Sequence, residues 1–146
     1  MRDLNKKGFT LIEVMATVAI ASLVMFALVS FLSVVSKVFI ASAIESEQRL
    51  IVSSAKAYLK NELTYAENVT INNINELTYN TNQKLEFIDG KIYKNDVQVF
   101  DNEFYGNTKI NISVTGIGSV LTFALDVANG EINRTEDYVV KTLNSN

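Results

Sequence analysis

Cysteine, proline, histidine and tryptophan are all absent from the 146 residues. Without cysteine no disulfide can staple an exported domain, and no thiolate can serve as nucleophile or metal ligand. Without histidine the commonest general base is missing, so a hydrolytic or redox centre would need carboxylates, Ser, Lys or Tyr. No nucleophile elbow, phosphate loop or metal-ligand spacing appears. The chain reads as no enzyme, with no cofactor. The missing proline removes the strongest helix breaker from the whole sequence.

Charge is missing too, over one long stretch. From residue 9 to residue 36 the only charged side chain is Glu13, and Lys37 closes the run. At ~1.5 Å per residue, an uncharged helix over residues 14–36 is about 35 Å long, enough to cross a hydrocarbon core of about 30 Å. The basic leader before it, with Arg2, Lys6 and Lys7, holds the N-terminus on the cytoplasmic side. An ordinary secretory signal is the rival reading, with Ala41-Ser42-Ala43 as a small-residue cleavage pattern and a new start at Ile44. Such a signal has an apolar region of ~7–15 residues, which is shorter than this run. An acid inside a membrane-spanning segment also demands a partner.

The sequence Lys7-Gly8-Phe9-Thr10-Leu11-Ile12-Glu13-Val14-Met15 resembles the class III signal of type IV pilins and pseudopilins. The resemblance covers residues 6–45, about a third of the chain. It implies that a prepilin peptidase cuts between Gly8 and Phe9 and methylates the new N-terminal amine of Phe9. It also implies that Glu13, fifth in the mature chain, docks on the N-terminal amine of a neighbouring subunit. With that cut, Phe9 and Glu13 stand four apart, one helical turn. The partners implied are other pilin subunits, the peptidase, and an inner-membrane platform protein driven by an assembly ATPase. The location implied is the cytoplasmic membrane, then an extracellular filament. Many major pilins have a proline in the apolar half; here Ser30 stands near that place, which favours a minor pilin or pseudopilin. Type IV pilus, type II secretion and competence machines share this N-terminus.

Removing residues 1–8, net +2, takes the formal charge from −3 to −5. Phosphate binding needs a basic patch, so an acidic head argues against direct nucleic-acid contact.

Past the membrane run the helical pattern continues to about Asn68. Ile44, Ile51, Ala55, Tyr58, Leu59, Leu63 and Ala66 share one stripe, and Glu45 and Arg49 form an i,i+4 pair on another side. A helix over residues 9–68 is about 90 Å long. After an Asn- and Thr-rich connector, with a short extended piece at 69–71, come turn signals. Asp89-Gly90 pairs Phe87 with Ile92, Asn95-Asp96 pairs Ile92 with Val99, and Asn129-Gly130 pairs Val127 with Ile132. Residues 109–115 alternate as a strand that Gly116 and Gly118 break, residues 119–128 are strongly apolar, and residues 138–143 form the last strand.

The expected fold class is α+β, pilin-like: a long N-terminal helix, membrane-spanning in its first half, packed on an antiparallel β-sheet head. The divisions are 1–8 leader, 9–36 membrane and assembly helix, 37–68 amphipathic continuation, and 69–146 head. Asp126, Asn129 and Glu131 offer oxygens suited to Ca²⁺, but a plain hairpin turn accounts for the same residues. A secreted or singly anchored binding protein is the alternative function.

Overall fold

The computed structural model describes residues 9–142 and falls into two compact units, Met1–Ala41 and Ser42–Asn146. A single helix, α1 (Leu11–Leu63, 53 residues), begins in the first unit and continues in the second. No glycine or proline interrupts it, and three hydroxyls inside its apolar part bond within the helix. Thr17 Oγ1 donates to Val14 O (2.8 Å), Ser22 Oγ to Ala19 O (2.8 Å) and Ser30 Oγ to Phe26 O (3.0 Å). Each of these three hydroxyls is thereby satisfied without water. The helix passes through Ser30 unbroken.

The helix ends at Leu63, short of the expected Asn68. Two bonds draw the chain out of the helix. Glu67 N donates to Asn80 Oδ1 (2.7 Å), and Asn80 N donates to Glu67 O (2.7 Å), tying this segment to the head. Asn68 then takes a left-handed φ of 52°. Ala66 stays fully buried although it lies past the helix.

In the second unit, β1 (Thr70–Asn73), β2 (Glu76–Tyr79), β3 (Gln83–Ile88), β4 (Lys91–Lys94) and β5 (Val97–Gln98) form an antiparallel meander in chain order. A short helix, α2 (Asn102–Tyr105), leads into a three-stranded antiparallel sheet of β6 (Lys109–Ile117), β7 (Val120–Asn129) and β8 (Ile132–Lys141). The architecture is α+β and pilin-like: a long apolar helix followed by antiparallel sheets.

Phe87 pairs with Ile92, and Val99 N donates to Ile92 O (2.9 Å), as the two turn signals predict. Asn95 and Asp96 carry φ of 50° and 65°, the paired positive values of a type I′ turn. The third hairpin differs. Val127 pairs with Arg134, and Asn129 with Ile132, so the loop is Gly130–Glu131 rather than Asn129–Gly130. Asn129 stays in the strand, where its Nδ2 donates to Thr108 Oγ1 (3.0 Å), and Gly130 alone takes positive φ, 62°. Because the register moves by two, the apolar side chains keep their face.

The core joins one face of α1 to both sheets. Ile51, Val52, Ala55, Leu59 and Leu63 pack with Leu77, Leu85, Phe87 and Ile92 of the first sheet and with Ile112, Phe123 and Leu125 of the second. At its edge Glu62 accepts from Tyr79 Oη (2.6 Å) and Lys94 Nζ (2.5 Å). Burial pushes the Glu62 carboxyl up, but the Lys94 and Tyr79 bonds outweigh it and the net direction is down. Burial and the Glu62 charge push the Tyr58 hydroxyl up to about 12.

Candidate functional site

The residues singled out by the N-terminal motif stand where α1 begins. Gly8 lies outside the described residues. Phe9 is 83% exposed and precedes the helix. Thr10 is the N-cap: its carbonyl accepts the first helical bond, from Val14 N (3.2 Å). Glu13 occupies the first turn.

Thr10 and Glu13 hold each other. Glu13 Oε2 accepts from Thr10 N (2.9 Å) and from Thr10 Oγ1 (3.0 Å), while Glu13 N donates to Thr10 Oγ1 (3.4 Å). This is a capping box, in which two of the unsatisfied first-turn donors find reciprocal partners. The carboxylate also sits at the positive end of the helix dipole. The motif reading singled out Glu13 but not Thr10; the Thr-x-x-Glu spacing is the signal that identifies it. Among the described residues Glu13 makes no bond to Phe9. Its pairing inside one chain is with Thr10.

From residue 9 to residue 40 every side chain is exposed. These include Phe26 at 75%, Phe31 at 65% and Phe39 at 74%. α1 is the one helix among the described residues long and apolar enough to cross a membrane. An aliphatic and aromatic surface of this extent is not stable against water and needs lipid or other helices around it.

Residues 3–29 match the family model described as the prokaryotic N-terminal methylation motif. The N-terminus is a pilin-type class III signal. The motif supports a pilin-like substrate of prepilin peptidase, and the signal together with the apolar helix fits anchoring in the membrane as a precursor. The same signal implies pilus-type assembly. Neither the curated proteins nor the solved structures contain a match to the chain.

In the head, two of the three residues weighed for calcium, Asp126 and Asn129, have partners. Asp126 Oδ1 accepts from Thr135 Oγ1 (2.7 Å), and the Asn129 amide is donated to Thr108. No cluster of three or more His, Cys, Asp or Glu suited to a metal occurs among the described residues. Glu45 and Arg49 form their i,i+4 pair at 4.0 Å, both exposed.

Proposed function

We propose that this chain is a structural subunit of a type IV pilus-like filament, cut between Gly8 and Phe9, N-methylated on Phe9, and docked through Glu13. The observation that supports this reading is an apolar helix, exposed from residue 9 to residue 40, that starts in a Thr10–Glu13 cap within a matched methylation motif. Lipid covers that surface in the precursor, and the helices of neighbouring subunits cover it in the filament. Glu13 accounts for the charge that the membrane would otherwise reject: it meets the amine of an adjacent subunit's first residue and cancels it.

The chain hydrolyses nothing in this scheme. An assembly ATPase acts through an inner-membrane platform protein, and the β-rich head faces outward on the cell surface. The proline-free helix favours a minor pilin or pseudopilin over a major subunit. The acidic head leaves nucleic-acid contact to other components.

Intact-mass and N-terminal peptide analysis, with and without the prepilin peptidase, tests the reading. The expected mature chain begins at N-methylated Phe9. A chain that begins at Ile44, or that keeps Met1 in the presence of the peptidase, returns the protein to the secreted or singly anchored class.

A further inference from the structure

The outer edge of the C-terminal sheet is open. β8 bonds to β7 through its even-numbered residues. The Gly130–Glu131 turn closes on the Asn129–Ile132 pair, and at the other end Thr142 N donates to Ser119 O (2.9 Å). Antiparallel ladders alternate, so the N–H and C=O groups of Asn133, Thr135, Asp137, Val139 and Lys141 point away from β7. All five residues are exposed, and among the described residues no other hydrogen bond reaches those backbone groups.

The opposite boundary strand, β6, is covered. Ile74 O accepts from Val114 N (2.7 Å), and the Gly90 turn lies against the Ile110 backbone. Natural edges are guarded by shortness, charged side chains, proline or a bulge. β8 has ten residues, no proline and an unbroken register with β7, and the two charges on its exposed residues, Asp137 and Lys141, are of opposite sign. Such an edge is a template for another strand.

We propose that β8 pairs antiparallel with β8 of a second copy of this chain, with Val139 on the two-fold axis. Charge complementarity supports this register. Centring on Val139, 52% exposed, sets it against itself. Asp137 then faces Lys141 of the copy, twice by symmetry, and neither residue has an ion pair within its own chain among the described residues. On the other face Tyr138 meets Val140. Centring on Asp137 instead sets like charges opposite one another, which destabilises a sheet pair.

The contact is isologous and closes on itself, whereas a growing filament needs a heterologous contact that repeats. Pairing through β8 is therefore separate from assembly through α1. It does not rest on the filament reading.

A chain without cysteine allows a single-thiol test on the full-length protein in mild detergent. Opposed Cα atoms of a hydrogen-bonded antiparallel pair lie about 5.5 Å apart, within disulfide reach. Val139→Cys is expected to form disulfide dimers under mild oxidation, and Asn133→Cys, remote from its own copy in this register, is not. In the Val139→Cys background, Asp137→Lys or Lys141→Asp alone should lower the dimer yield about tenfold, and the two together should restore it. All these positions are exposed, so folding is not at stake. Equal cross-linking at positions 133 and 139, or no rescue by the double charge swap, overturns the proposal.

Discussion

Glu13 has two roles that a pair of substitutions separates: it caps its own helix through Thr10, and in the proposed filament it offers a charge to a neighbour. Glu13→Gln keeps a side chain able to complete a capping box but removes the charge. Glu13→Ala removes both. Amide exchange in the first turn should quicken in Glu13→Ala, consistent with a cap worth about 1 kcal/mol, and stay near native in Glu13→Gln. Peptidase cleavage should survive in both variants, and incorporation into filaments should fail in both. Filaments of normal content from Glu13→Gln would show that the cap, not the charge, is what assembly needs. Glu62 is another residue whose ionisation matters. Its folded-state pKa is depressed, as is that of Glu136, which is bonded by Lys56 and Arg134. Each therefore binds fewer protons folded than unfolded below pH ~5. Their stabilisation is complete above the ordinary carboxylate value of 4.5 and declines as pH falls through the lowered folded values. Chemical denaturation from pH 7 to pH 3 should show this acid loss, and Glu62→Gln should make it shallower.

At the scale of elements, the strands show how much a pattern can carry. Alternation and type I′ turn chemistry were enough to place β3 and β4 and to pair Phe87 with Ile92, because turn and register agree locally. Gly116 shows where such reading stops. Its sequence context suggests a strand break, yet β6 runs through it to Ile117 and turns only at Gly118, φ 60°. A Cβ on Gly116 would stand 2.9 Å from Leu121 Cδ2, 3.0 Å from Val120 O and 3.1 Å from Ile71 Cδ1. The residue is small because three neighbours, one of them on β1, crowd it. Gly116→Ala should therefore cost about 1–3 kcal/mol by thermal or urea unfolding. A neutral result would mean that Ile71 and Leu121 can move aside. β2 and α2 escaped the pattern altogether. Leu77 and Tyr79 are too short an alternation within an Asn-rich segment, and α2 is a single turn capped by Asp101, whose side chain accepts from Phe104 N.

At the scale of the molecule, one helix has two environments. Up to residue 40 it is exposed all round, and beyond Gln48 one face is the centre of a core shared by both sheets. Leu59, fully buried, belongs to that core. Leu59→Ala should destabilise the head by about 2–5 kcal/mol, read as a fall in the melting temperature of its β-sheet signal in detergent. Membrane extraction should not change, since the apolar part of α1 is untouched. The membrane-competent helix, the N-terminal methylation motif and the α+β class follow from the sequence alone. Each depends on neighbours within one helical turn or one hairpin, where spacing is geometry. Tertiary structure alone decided the rest. The end of α1 at Leu63 rests on the Glu67–Asn80 bonds, and the loop at Gly130–Glu131 on Asn129 reaching Thr108. The open edge of β8 rests on the order of strands in the sheet. These are contacts between segments far apart in the chain, and local pattern holds no record of which distant partner a side chain will meet.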